Sequence, residues 1–353
     1  MSVFIDFHVL QTVPPCCVNR DDMGSPKTAV YGGTVRARVS SQAWKHAMRE
    51  EFKKENAVGY RTKYFKQKII DMVLSVKPIL DASKIEKKVD KILKTKIKDN
   101  GKEKVWFEFE DNKKTKVLFF VSERQIENFA RLIIEEEEDI KRYRDALKNN
   151  PSIDIALFGR MAASDPNLNY DAAAQVAHAI STHAVQNEYD YFTAVDDLQT
   201  EDNAGAGHLG TIEFNSSTLY RYATVNATEL AETLGKENVA STIKKFGQAF
   251  ALSMPTGKEN TFANRTFPDM VYVTLRTDQP VNLCGAFENP IKKSDKGYAA
   301  ASESRLMEYA QNVYSQFASK PDKEWLNDIS SDLSFPELLS QLEKAVNDIL
   351  TEV

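Results

Sequence analysis

The chain has 353 residues, 42% hydrophobic and 27% charged, with a formal net charge of −5, an ordinary globular composition for one large domain or two smaller ones. No run approaches the roughly 18 apolar residues that a membrane-spanning helix needs, and the start Met1-Ser2-Val3-Phe4-Ile5-Asp6 lacks a basic leader. Cys16, Cys17 and Cys284 do not make a disulfide framework, which excludes a stapled secreted module and points to a cytoplasmic protein.

Residues 3–13 are rich in β-formers and predict a strand, broken by Pro14-Pro15. A polar loop with Gly24, Pro26, Gly32 and Gly33 leads to a short strand at 34–39. Ser40-Ser41 cap a helix to about Phe52. On it Trp44, Met48 and Phe52 recur every four residues toward the core, with Lys45, Arg49 and Lys53 on the adjacent stripe. Residues 57–190 turn mainly helical and read as a large insertion. They hold a lysine-dense stretch at 84–104 with nine Lys and four acids, a long helix over 122–148, and strand-like pieces at 105–109 and 117–121 around an Asp111-Asn112 turn. A Gly- and acid-rich loop spans 196–210, and β character returns over 211–225. A helix over 237–253 stops at Pro255, a strand covers 270–276, and two helices follow near 302–318 and 335–351. With the insertion excised the order approximates β, α, β, α, β. This predicts an α+β chain with an RRM-like (ferredoxin-like) sheet packed on two helices.

Charge is unevenly spread. Residues 1–116 hold 25 Lys and Arg against 15 Asp and Glu, and the remainder reverses the balance with 21 against 36. A basic half on an acidic body suits phosphate on one surface and another partner elsewhere. The cations near the first helix give the sharper signal, because a helix N-terminus offers unpaired amide donors and the positive end of the dipole. Ser40, Ser41 and Gln42 occupy that terminus, and Lys45 and Arg49 line one side of it. Arg36 and Arg38 share a face of the preceding strand, and Arg20 and Lys27 sit in the loop before. Such a cluster makes a backbone track for RNA; the plainer alternative is scattered surface charge.

Patterns for chemistry are poorer. Gly205-Ala206-Gly207-His208-Leu209-Gly210 matches G-x-G-x-x-G, but an acidic loop precedes it and a strand follows, where a dinucleotide site needs a strand and then a helix. His178 and His183 are five apart, on what reads as a helix over 172–184, without the intervening Glu of a metalloprotease; packing or capping suits them better. Asp21-Asp22 and Asp196-Asp197 could seat a divalent ion for phosphodiester cleavage, but adjacent carboxylates more often bond local amides in turns.

Asn19-Arg20-Asp21-Asp22-Met23, then Gly32-Gly33, then Arg38-Val39-Ser40-Ser41-Gln42 and Lys45, resemble the start of the CasC family, the backbone subunit of type I-E CRISPR Cascade. The likeness continues through Asp154-Ile155-Ala156-Leu157-Phe158-Gly159-Arg160-Met161-Ala162, Ala177-His178-Ala179-Ile180-Ser181-Thr182-His183, and Tyr191-Phe192-Thr193-Ala194-Val195-Asp196-Asp197-Leu198-Gln199. It runs on through Ala206-Gly207-His208-Leu209-Gly210-Thr211 to Tyr220-Arg221-Tyr222, Pro268-Asp269-Met270-Val271 and Ala286-Phe287-Glu288. These blocks cover most of the chain in order; the stretch 57–150 has no counterpart.

The resemblance implies an RRM-like palm (1–56 and 212–290), a helical fingers insertion (57–190), a projecting thumb loop (191–211) and C-terminal helices completing the palm (291–353). It implies a non-catalytic protein without cofactor or metal that oligomerises along a guide RNA (crRNA) and displays its bases to a target DNA strand. Other Cascade subunits would be partners: the large and small subunits, the subunit at the guide 5′ end and the guide-processing endonuclease. By the same likeness Arg20, Lys27, Arg38, Ser40, Gln42, Lys45 and Arg49 would contact guide phosphates. Lys258 and Asn260 would lie near RNA, and the thumb residues Asp197, Leu198, Gln199, His208 and Leu209 would displace a base. The competing readings are a metal-dependent ribonuclease and a standalone RRM-like protein; against the latter, no strand shows the aromatic-rich pattern used for base stacking.

Overall fold

A computed structural model describes residues 2–55, 57–99, 102–194 and 208–352, and the chain divides into two compact units. The first (Met1–Glu51, Val176–Asn226, Ile243–Val353) is built on an antiparallel sheet around β1 (Phe4–Cys16). A long strand, His208–Asn226, pairs on one side of β1 and Met270–Arg276 on the other. The hairpin of β2 (Thr28–Tyr31) and β3 (Thr34–Val39) joins the sheet through Ala179–Ser181, which lies between β3 and the long strand. Lys323–Asp328 forms the opposite edge. The expected α+β class with an antiparallel sheet and helices is thus observed.

β1 does not stop at Pro14-Pro15. Its ladder runs from Phe4↔Asn226 to Val13↔Ser217, shifts register across the prolines, and resumes at Cys16↔Asn215. Proline has no N–H to give, so the strand bulges there instead of ending. The strand is buried on both faces. Phe7 meets Phe246 at 5.5 Å and Phe250 at 6.3 Å, both on the helix Lys236–Leu252. On the other face Asp6 accepts the Tyr222 hydroxyl and the Val281 amide, each at 2.9 Å, and His8 Nδ1 pairs with the Tyr220 hydroxyl at 2.8 Å. Burial pushes Asp6 up to about 6 and pulls His8 down to about 3.

Helix α1 (Ser41–Lys53) follows β3 directly. Trp44, Met48 and Phe52 are buried, as their spacing predicts. Trp44 lies 3.6 Å from the Arg221 guanidinium. Arg221 is itself buried and donates to Gln11 Oε1 at 2.6 Å and to the carbonyls of Phe250 and Ala251. A guanidinium stacked on an indole and hydrogen-bonded through both terminal nitrogens fixes the height of α1 over the sheet.

Two further differences from the sequence reading lie in this unit. The helix over 172–184 is extended chain, Ala174–Val176 and Ala179–Ser181. Ser181 pairs with Leu219 and Ile180 with Arg38, so ladder bonds on both sides override the local helix preference of an alanine-rich segment. The C-terminal helices Ala299–Gln316 and Phe335–Glu352 are present, but the strand Lys323–Asp328 between them was not anticipated.

The second unit (Phe52–Gln175, Ala227–Thr242) is mainly helical. Its core gathers Phe65, Val73, Val89, Trp106, Phe107, Phe119, Phe129 and Tyr143. Residues 105–109 and 117–121 do not form one hairpin. A bridge from Phe109 to Thr115 spans the Asp111-Asn112 turn, whereas Phe119–Val121 pairs with Tyr60–Thr62. The helix expected over 122–148 is two, Glu123–Ile134 and Ile140–Lys148. Five consecutive acids between them oppose the negative end of the first helix, and their carboxylates serve better as N-cap acceptors for the second. Asp139 accordingly accepts the Lys141 amide at 2.9 Å, and Glu137 the amides of Glu138 and Asp139. Arg160 is 3% exposed and donates to the carbonyls of Leu168, Phe120 and Leu147 and to Gln125 Oε1, at 2.8–3.1 Å.

Candidate nucleic-acid interface

The basic cluster forms around the junction of β3 and α1 in the first unit. Ser40 caps the helix: its buried hydroxyl accepts the Ala43 amide at 3.3 Å and its own amide donates to Asn19 Oδ1 at 2.9 Å. Asn19 in turn accepts the Lys27 amide at its carbonyl (2.8 Å), and the Lys27 carbonyl accepts the Arg38 amide (2.9 Å). The loop carrying Arg20 and Lys27 is therefore laced to both β3 and α1. At its tip Asp21 accepts the Met23 and Ser25 amides, at 2.9 and 3.0 Å. That carboxylate is occupied in shaping a turn, the ordinary role for such a residue.

Arg20 and Gln42 are exposed, and Lys27, Arg38, Ser41, Lys45 and Arg49 are half-buried. Arg38 Nε donates to the Thr28 carbonyl at 3.2 Å. Arg36, expected on the same track, is fully enclosed. It donates to the carbonyls of Ser181 (2.9 Å), Phe287 (2.9 Å) and Glu288 (3.3 Å), and to Thr34 Oγ1. Three carbonyls from distant chain satisfy its fork, so it fastens the hairpin to the sheet and leaves the surface.

A second loop completes the patch. Gly257 sits so close to β1's end that a Cβ there would lie 2.1 Å from the Val18 carbonyl oxygen; only glycine allows this approach. Lys258 and Ala263, at φ of 52° and 47°, bracket the single turn Glu259–Phe262. Burial pushes the Cys17 thiol up, while the nearby charges of Arg20 and Lys258 pull it down. Asn260 is exposed on the turn. Among the described residues, Arg20, Lys27 and Lys258 have no carboxylate within ion-pair distance.

Asp197, Leu198 and Gln199 lie outside the described residues. The backbones of His208 and Leu209 pair with Ala194 and Thr193 in a hairpin between Glu188–Ala194 and the start of the long strand. The hairpin strand Glu188–Ala194, exposed throughout, had not been read from the sequence. Of the two histidines, His183 accepts the Thr218 amide at Nε2 (3.1 Å), bonds the Ala184 carbonyl through Nδ1 (2.9 Å) and stacks on Tyr298. His178 instead enters the basic patch, its Nδ1 accepting the Ser41 amide at 3.2 Å. Sequence reasoning left it without a site role, because only the pairing of Ala179–Ser181 with β3 brings it there.

The model of the family described as CT1975-like protein matches residues 5–351. No curated protein matches the chain. A solved chain described as "CRISPR RNA-guided surveillance complex, pre-nicking" is 31% identical, with a TM-score of 0.81, covering 97% of this chain and 100% of that one. Another, described as "CRISPR RNA-guided surveillance complex", is 28% identical with a TM-score of 0.64, covering 97% and 99%.

Proposed function

Because the chain belongs to the CT1975-like protein family, we propose that it is the guide-RNA-binding backbone subunit of a CRISPR surveillance complex of the type I-E CasC kind. Copies of the chain stack along the guide, hold its phosphates, and leave its bases to pair with a target DNA strand. The other Cascade subunits complete the assembly. The observation that carries this reading is the set of cations without carboxylate partners around the β3–α1 junction: Arg20, Lys27 and Lys258, with Arg38 beside them. Phosphate contacts position a nucleic acid without reading sequence, and base pairing then supplies the specificity.

In this role the chain performs no chemistry. The Asp21 carboxylate already holds two amides of its own turn, which suits a local structural task better than a metal ligand.

The test is RNA binding by the purified chain across unrelated sequences and salt concentrations. Sequence-independent affinity, with a log–log salt slope that falls by roughly 0.7 to 1 for each lost phosphate contact in a Lys45→Glu, Arg49→Glu variant, supports the reading. Unchanged slope removes α1 from the track. Incubation with labelled guide RNA, complementary RNA and complementary DNA in Mg²⁺ or Mn²⁺ checks the chemistry. Regular cleavage that disappears in Asp22→Ala would replace the scaffold with a nuclease.

A further inference from the structure

His178 stands inside the basic patch, and the function proposed above gives it no task. It immediately precedes the strand Ala179–Ser181, and its Nδ1 meets two donors: the Ser41 amide at the start of α1 (3.2 Å) and Arg38 Nη1 on β3 (3.4 Å). A ring nitrogen that accepts carries no proton, so the neutral ring holds its proton on Nε2. Arg38 is held on its other side by the bond from Nε to the Thr28 carbonyl. The guanidinium is thereby fixed at two points, and its remaining N–H groups keep the planar fork that suits phosphate oxygens.

We propose that His178 is a positioning residue of the RNA track, a neutral latch that ties Arg38 to the first turn of α1 so that the guanidinium meets phosphate already oriented. The inference rests on the RNA-binding reading and assigns that site a proton sensitivity. Protonating Nδ1 would turn the shared acceptor into a donor facing two donors, and the latch would open. Burial first, and then the charges of Arg38 from β3 and Lys27 from the loop before β2, hold the ring below the ordinary histidine value; from α1 it meets the uncharged Ser41 amide. The latch is therefore closed at neutral pH and opens only on acidification.

The test measures affinity of the full chain for a single-stranded oligouridylate between about pH 8 and about pH 5, across the histidine range. His178→Ala should weaken binding about 3- to 10-fold at the alkaline end, the cost of ordering one long side chain on binding. In His178→Asn, Oδ1 can stand where Nδ1 stood and cannot be protonated; this variant should restore affinity and abolish the loss that the wild type shows at acid pH. Affinity that rises on acidification would make the imidazolium itself a phosphate contact and overturn the latch. Equal binding by wild type and His178→Ala overturns it while leaving the RNA reading intact, and no binding by the wild type overturns both. Ring-nitrogen NMR shifts of the free protein give a readout independent of RNA: a proton on Nδ1 sinks the proposal alone.

Discussion

Lysines are dense over 84–104 in the helical unit, and several have neighbours that take up their charge, although Lys84, Lys87 and Lys98 are exposed with no carboxylate within ion-pair distance among the described residues. Lys88 donates to the Ile133 carbonyl at 3.0 Å, Lys91 pairs with Glu138 at 3.4 Å, and Lys96 with Glu103 at 3.8 Å. Lys94 pairs with Asp90 at 3.4 Å and lies over the Phe109 ring, and the buried Lys66 sits between Glu86 and Asp90 at 2.8 and 3.0 Å. The sheet unit gathers fewer cations at the β3–α1 junction, but Arg20, Lys27 and Lys258 face no carboxylate among the described residues. Exposed pairs of the first kind add little stability; their effect here is to cancel local field. A count of basic residues therefore overstates the open charge of the helical unit, where ion pairs take up part of it.

The strongest way to probe this contrast is to remove a cation used purely for structure. Arg160→Ala should destabilise the helical unit by about 3 to 5 kcal/mol, because it removes the donor to three core carbonyls and one of the two donors to Gln125 Oε1. Arg160→Lys should recover only part of this, since one ammonium cannot reproduce the fork. Urea unfolding followed by tryptophan fluorescence reads both. The next effect concerns the open patch: Arg20→Glu with Lys258→Glu should lower RNA affinity by about one to two orders of magnitude at moderate salt, with a flatter salt slope. A smaller effect is expected in the buried polar face of β1. Asp6 is raised to about 6, so its favourable contribution is complete below its unfolded value and fades as pH rises through 6. His8 is lowered to about 3, so its contribution is present above its unfolded value and fades as pH falls toward 3. Between about pH 4 and 6 the two slopes cancel. Asp6→Asn should expose the histidine's share, a loss of about 1.4 kcal/mol per pH unit on acidification relative to wild type. Smallest of all, Lys91→Glu with Lys96→Glu should change RNA affinity by no more than about 3-fold, although it alters net charge as much as the double change in the patch. A comparable loss from both pairs would erase the contrast.

The α+β class, the core face of α1 and the strand at 270–276 were legible because each is written in local periodicity. What was missed depends on partners far away in sequence. Ala179–Ser181 is a strand only because β3 and the long strand leave a slot for it, and Lys323–Asp328 only because Met270–Arg276 offers an edge. The same holds at the site. Ser40 reads correctly as a cap from its position alone. Arg36 reads as a surface cation until the carbonyls of Ser181, Phe287 and Glu288 enclose it. His178 was invisible for the converse reason: its neighbours Arg38 and Ser41 come from more than a hundred residues earlier.

The position of β1 in its sheet also sets a timetable for synthesis. Phe4 is made more than two hundred residues before either of its ladder partners, Asn226 and Arg276. At ribosomal rates of about 5–20 residues per second, β1 waits roughly 10 to 60 seconds for its second neighbour. Until residue 226 is made both edges of this strand are unpaired, and until residue 276 one still is, open to other nascent chains, while residues 52–175 of the helical unit are already available to collapse. Yield in cells should accordingly depend on what shields Phe4–Cys16 before Met270–Arg276 emerges.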